Sequence, residues 1–233
     1  MSYLSSVARL IVASGVFTVA ALGQDAQQIL RQVAETYQNL KSYHFQGVSL
    51  SEANVDGKRS TAETAFDIAF ASPNKLKVEY RYPGGDSWIR VSDGVTLARY
   101  RSPSGDLRRE PASRDDLKIL KGTFISDFGL LARTTSSARV VGSETLSVGG
   151  KDIDCYVVEA QQQRVVPDGT KVLPTKWWID KARSIIAKQV TATSSAYAAH
   201  TTVNSRTVSF TLARVNEELP RTLFQFEPAT AAR

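Results

Sequence analysis

Along most of this chain apolar residues fall at every second position, in short runs separated by turn residues. That alternation marks strands with one apolar and one polar face. Thr64, Phe66, Ile68 and Phe70 form one run. Leu76, Val78, Tyr80 and Tyr82 form the next, interleaved with Lys75, Lys77, Glu79 and Arg81, and Ile89 and Val91 continue the series. The apolar face of such a sheet must be covered by helices of the same chain, by a second sheet or by a bound apolar ligand. Which of these covers it is the functional question.

Two segments depart from the period of two. From Asp25 to Lys41 the apolar positions Ala26, Ile29, Leu30, Val33, Ala34, Tyr37 and Leu40 are spaced by three and four, which predicts an amphipathic helix. Asp25 is placed to cap it, with Gln28 completing a capping box. From Ala112 to Arg133 the residues Leu117, Leu120, Phe124, Phe128 and Leu131 recur at three and four, interrupted by Gly122 and Gly129, and predict one or two short helices. Strands begin again after Ser42 with Tyr43, Phe45 and Gly47, the last allowing a bend or bulge. Turn signals such as Asn54–Gly57, Ser72–Asn74, Pro83–Asp86, Ser92–Gly94, Ser102–Asp106, Val148–Gly150 and Asp180–Arg183 predict antiparallel hairpins. The count is about ten or eleven strands, enough that the sheet must curl strongly or close into a barrel. Trp177 and Trp178 flank opposite faces of one strand, so one of them points inward.

Residues 1–23 read as an export signal, with Arg9 before the apolar stretch Leu10–Ala21 and small residues at Ala21-Leu22-Gly23. The apolar run is about a dozen residues, short of the roughly 20 that a spanning helix needs. No Cys stands near the cleavage point, which closes the acylation route to a lipoprotein anchor. The expected product is residues 24–233, a single domain, exported and soluble, with the bacterial periplasm as its compartment. It keeps 28 basic and 23 acidic residues, a net charge of +5. The basic residues mix with acidic ones along strand faces, as in Lys77, Glu79, Arg81 and Arg108, Arg109, Glu110, so no basic stripe with interleaved aromatics points to nucleic acid. The single Cys155 forms no internal disulfide and is expected as a small buried apolar residue.

Motifs for chemistry are missing. His44 and His200 have no acidic or cysteine partner at metal-ligand spacing. No G-x-S-x-G, phosphate-binding glycine loop or C-x-x-C occurs. Neither a cofactor, nor a metal, nor catalysis is expected, although a carboxylate pair assembled only in three dimensions stays open.

Four strings in order, Phe66-Asp67-Ile68-Ala69-Phe70-Ala71-Ser72-Pro73-Asn74-Lys75-Leu76, Ile89-Arg90-Val91-Ser92-Asp93-Gly94-Val95-Thr96-Leu97, Trp178-Ile179-Asp180 and Phe224-Gln225-Phe226-Glu227-Pro228, resemble the LolA superfamily of periplasmic lipoprotein carriers and their relatives. The resemblance implies an α+β fold, a strongly curved antiparallel half barrel of about 10–11 strands with helices covering the concave apolar face. It implies a lipid or lipoprotein carrier whose cargo is a lipid or an acylated lipoprotein, acting as a monomer with inner- and outer-membrane protein partners. The alternatives that the resemblance implies for this chain are an envelope sensor or protein-interaction module of the RseB type and, second, an enzyme with an adapted cavity. On this reading Phe45, Phe66, Ile68, Phe70, Leu76, Val78, Tyr80, Ile89 and Val91 line a lipid cavity. Ile29, Val33 and Tyr37 of the first helix and Phe124, Phe128 and Leu131 of the second form its lid, hinged at Gly122 or Gly129. The chain departs from the carriers at Ser72, where they commonly place an Arg that helps hold the lid closed. It also ends at Arg233 without the extra C-terminal strand of some carriers.

Overall fold

In a computed structural model that describes residues 25–121, 123–166, 169–197 and 200–226, the N-terminal apolar stripe forms helix α1, Ala26–Gln38. Residues 1–24, the expected signal among them, and Gly122 lie outside the described residues. Asp25 Oδ1 caps α1 by accepting from the Gln27 N–H at 3.0 Å, in place of the predicted reciprocal box with Gln28. Ile29, Leu30 and Val33 are buried along the stripe.

Eleven strands follow: β1 Ser42–Val55, β2 Lys58–Ala71, β3 Lys75–Arg81, β4 Ser87–Ser92, β5 Thr96–Arg101, β6 Asp106–Pro111, β7 Thr135–Val148, β8 Lys151–Val166, β9 Gly169–Asp180, β10 Ile186–Tyr197 and β11 His200–Val215. They form one antiparallel sheet in the order β6-β5-β4-β3-β2-β1-β11-β10-β9-β8-β7, with β6 and β7 at its two edges. Each hairpin joins neighbours, as the turn signals predict, and the pairing of β1 with β11 sets the first and last strands side by side. Between β6 and β7 the predicted one or two helices are four short pieces: a 3-10 turn Arg114–Leu117, α2 Lys118–Lys121, α3 Phe124–Phe128 and α4 Leu131–Thr134. The break before α3 falls at Thr123, whose backbone is extended. Among the described residues, no helix is long and apolar enough to cross a membrane.

The sheet is open and strongly curved. Its β7–β8 hairpin tip reaches back to β11, four places away in the sheet, where the Gly149 N–H donates to the Thr211 carbonyl at 2.8 Å. The inner face is packed against α1, α3 and α4. Phe45, Ile68, Val78, Val158 and Trp177 are fully buried there, joined by Phe66, Ile179, Ile186, Val208 and Phe210. At about 1.5–3 kcal/mol for each large apolar side chain removed from water, this face supplies most of the drive to fold.

Register fixes which side of each strand faces in. Ile68 opposes Val78, and Val78 opposes Arg90, so the inner residues of β4 are Trp88, Arg90 and Ser92. Ile89 and Val91 oppose Glu79 and Lys77 and therefore sit on the outer face, a correction to their expected place in the cavity wall. The reason is that β4 has a second apolar cover. After β11 the chain crosses the outer side of β1 to β5, anchored where Ser42 Oγ donates to the Glu217 carbonyl at 2.7 Å. The closing Leu223–Phe226 is no strand. A 3-10 turn, Arg221–Phe224, packs on β3 with Phe224 buried, and Phe226 lies against Tyr100 with ring centroids 5.3 Å apart.

The same outer face carries a buried polar cluster. Asp67 Oδ1 lies 2.8 Å from His44 Nε2, while Asp67 Oδ2 accepts from Lys77 Nζ at 2.8 Å and Gln46 Nε2 at 3.1 Å. Lys77 also meets Glu79 at 3.2 Å. A second outer patch of Val148, Cys155, Val157, Trp178 and Ala187 lies under the returning β7–β8 hairpin, so Cys155 is buried as expected and Trp177 is the inward tryptophan.

Gly47 sits at a bulge in β1 where the register with β11 shifts, directly beneath Phe66. A Cβ there would stand 2.6 Å from Phe66 Cζ and inside the contact distance of the Ser209 carbonyl oxygen. Gly47→Ala should therefore lower stability by about 3 kcal/mol in urea unfolding, as overpacking against backbone does. Burial works against the Asp67 charge, yet hydrogen bonds from His44, Lys77 and Gln46 prevail and hold its pKa at about 2. A carboxyl whose folded pKa lies below its unfolded one adds stability above the unfolded value, here 3.8, and loses it as pH falls toward about 2. Asp67→Asn should cost about 2 kcal/mol at pH 7, with the difference from wild type closing between about pH 4 and 2.

Candidate ligand pocket

Past the helices the inner face changes character. The positions in phase with the buried Phe, Val, Ile and Trp become small or polar, Leu173 of β9 apart: Ser49 and Ser51 on β1, Ala62 on β2, Gln162 and Arg164 on β8, Thr175 on β9, Gln189, Thr191 and Thr193 on β10, and Asn204 and Arg206 on β11. Between these strand ends and α3 lies a cavity of about 520 Å³. Its volume falls within the range of about 300–1,000 Å³ common to small-molecule sites.

One wall is apolar and the other charged. Phe124 of α3, Val208 and Leu173 form the side that abuts the core, and Arg206, Arg164, Asp127 and Glu52 stand round the polar side. Arg206 occupies the border. Its Nε donates to Ser49 Oγ at 2.8 Å, and its guanidinium carbon lies 5.6 Å from the centre of the Phe124 ring. Among the described residues no carboxylate stands within ion-pair distance of Arg206, and burial pushes its pKa below the ordinary guanidinium value. Tyr80 and, more weakly, Asp127 oppose that shift, and the link of Asp127 to Arg164 is long, 3.9 Å. Burial raises the Asp127 pKa, opposed by the charges of Arg164 and Arg206. Tyr80 is likewise pushed up to about 12 by burial, with Arg206 opposing.

The residues expected to line a cavity divide into three groups. Phe45, Phe66, Ile68, Phe70, Val78 and Tyr80 from the sheet come together with Ile29, Val33, Tyr37, Phe128 and Leu131 from the helices, but as one packed core. Leu76 is buried on the same face. Phe124 belongs to that core and also faces the cavity. Ile89 and Val91 are on the other side of the sheet. Gly129 has helical backbone and its carbonyl accepts from Gln38 Nε2 at 2.5 Å, which ties the α3–α4 junction to α1. The cavity's polar residues escape sequence reading because Ser, Thr and Gln in a strand carry no apolar period. The signal available was their phase, since Gln162 and Arg164 continue the alternation of Val158 and Ala160, and Asn204 and Arg206 that of Val208 and Phe210.

The architecture is the one that the sequence resemblance implies, an open curved antiparallel half barrel with helices on its apolar face. No family model matches the chain and no curated protein does. Among solved structures it is similar to LprF from Mycobacterium bovis, with 13% identity over 85% of this chain and 96% of that one and a TM-score of 0.46. It is similar to a chain of the Pseudomonas aeruginosa MucA/MucB complex, at 16% identity and a TM-score of 0.42, covering 87% of this chain but spanning only 61% of that one. A LolA superfamily protein from Nitrosomonas europaea aligns over 86% of this chain and 97% of its own, at 13% identity and a TM-score of 0.29. Likeness at this level carries no argument about what the protein does.

If Arg206 is coupled to the rim as its position indicates, Arg206→Met should raise the Asp127 pKa further, because one of the two charges holding it down is gone. A carbon-detected NMR titration of the Asp127 carboxyl reads this directly, and an unchanged or lower value would show the two groups to be uncoupled.

Proposed function

We propose that this protein binds and carries an amphiphile, a lipid or the lipid moiety of a lipoprotein, in the bacterial periplasm, with its polar group at Arg206 and Arg164 and its chain against Phe124, Leu173 and Val208. The observation that carries this reading is the border itself. A 520 Å³ cavity meets the apolar core at Phe124, and a half-buried guanidinium with no carboxylate partner among the described residues stands at that junction. An amphiphile is the ligand class that satisfies an apolar wall and a cation side by side.

The action is passive binding without catalysis. Each methylene taken from water contributes roughly 0.8 kcal/mol, so about ten methylenes offer roughly 8 kcal/mol before association costs. The cavity alone does not take a long chain, since the core beyond it is filled. A longer chain lodges by displacing Phe124 and with it α3, a helix of 5 residues that Phe128 and the Gln38–Gly129 bond hold in place. The carrier's lid is then α3 with α4, and α1 stays as part of the wall.

Native mass spectrometry of the exported protein, followed by organic extraction, should find bound amphiphile. Uptake of a fluorescent fatty acid should weaken at least tenfold in Thr191→Trp, which fills the cavity, and in Arg206→Glu, which reverses its cation. A protein that emerges empty and takes up no fatty acid refutes the proposal, as does uptake that neither substitution alters.

A further inference from the structure

The inner face of the sheet near its β6 edge is unlike the rest. Register places Arg90 of β4 directly opposite Arg99 of β5, and Arg99 directly opposite Arg108 of β6. Three guanidinium side chains thus leave one face of three adjacent strands in a single row, with neighbouring Cβ atoms about 5 Å apart. Arg101, opposite Trp88, adds a fourth beside them. Like charges directly opposite across strands destabilise a sheet, so a row of three needs an anion.

The protein places carboxylates within ion-pair distance of Arg99 alone in this row, among the described residues. Glu110 meets Arg99 at 2.6 Å and Asp116 stands 3.9 Å from it. Among the described residues no carboxylate lies within ion-pair distance of Arg90, Arg101 or Arg108. The Nε atoms of Arg90 and Arg99 are buried with no hydrogen-bond partner, an arrangement that is expensive unless something accepts from them. Arg90 is held in position by Trp88, its guanidinium carbon 4.3 Å from the ring centre. Burial and the charge of Arg99 push the Arg90 pKa down, the direction that a bound anion would reverse. A cavity of about 160 Å³ is lined by Trp88, Arg90, Arg99, Arg101 and Arg108 together with Ile89, Tyr100 and Asp106, the last opposite Arg101. That is room for one small group and not for a chain.

We propose that the Arg90–Arg99–Arg108 row binds a tetrahedral oxyanion, a phosphate or sulfate group. Guanidinium forks match such oxygens in pairs, and an opening at a sheet edge lets the group arrive either free or attached to a larger molecule. The site lies on β4 to β6, whereas the pocket proposed for the amphiphile is built by β1, β2, β8 to β11 and α3, so either reading can fail without the other.

Trp88 reports on the site through Arg90. Titration of the full-length protein with inorganic phosphate at constant ionic strength, against chloride, should give a saturable change in tryptophan fluorescence that is lost in Trp88→Phe. Arg108→Gln, an exposed edge substitution that leaves the Arg99–Glu110 pair intact, should weaken it at least fivefold, and Arg90→Gln with Arg108→Gln at least tenfold. Vesicles of phosphatidylglycerol and of phosphatidylcholine separate the sources. Binding of inorganic phosphate identifies a free oxyanion as sufficient, and binding of phosphatidylglycerol vesicles alone, abolished by the double substitution but kept in Arg206→Glu, identifies a headgroup. No binding of either probe, or binding that the double substitution leaves unchanged, overturns the proposal.

Discussion

Six aromatic rings, Tyr37, Phe45, Phe66, Phe124, Phe128 and Phe210, touch one another over the centre of the sheet, edge to face in most pairs. They come from α1, β1, β2, β11 and α3, so one cluster joins both halves of the sheet to both layers of helix. Rings of this size bury more area than any aliphatic side chain and add about 0.5–1.5 kcal/mol per well-oriented pair. The cluster closes only because Gly47 leaves the space that Phe66 fills. That vacancy also accompanies the bulge that bends β1 against β11. The curvature, the seat of α3 and the place where the core gives way to the cavity all follow from how these rings stack.

The two faces of the sheet solve different problems. Inside, apolar burial is nearly continuous until the strands outrun the helices, and there the side chains turn polar. Outside, the C-terminal segment covers β3 to β5, and Asp67 has three hydrogen-bonding neighbours on β1 and β3. A buried carboxylate is tolerable only when it is so well supplied with donors. Both arrangements place charge at the boundary of an apolar region, but the outer one pairs its charges within the protein, whereas Arg206 on the inner face has no carboxylate partner among the described residues.

Much of the fold was legible because period speaks for itself. The spacing of Ile29, Leu30 and Val33 marked α1, the glycine and proline clusters marked the hairpins, Gly47 marked its bulge and the paired tryptophans marked two faces. β4 misled because both of its faces hold apolar residues, Trp88 on one and Ile89 and Val91 on the other. Only the pairing with β3 says which is inner. The cavity was illegible for another reason, since its lining is defined by being polar where the pattern calls for apolar. The row of arginines illustrates the same limit. Arg90, Arg99 and Arg108 are nine residues apart along the chain, and nothing but hairpin register makes them neighbours.

An eleven-stranded sheet that never closes keeps two free edges, each a template on which a second copy could add its own strand. The edges are blunted differently. β6 is short and carries Arg108, Arg109 and Glu110 before ending in Pro111, which has no N–H to offer. β7 is long, but its pairing with β8 is interrupted twice, at Ser136–Arg139 and at Val140–Gly142, so its outer rim is kinked. Both devices reduce the run of aligned backbone groups that an added strand could pair with, while the half barrel keeps its open mouth.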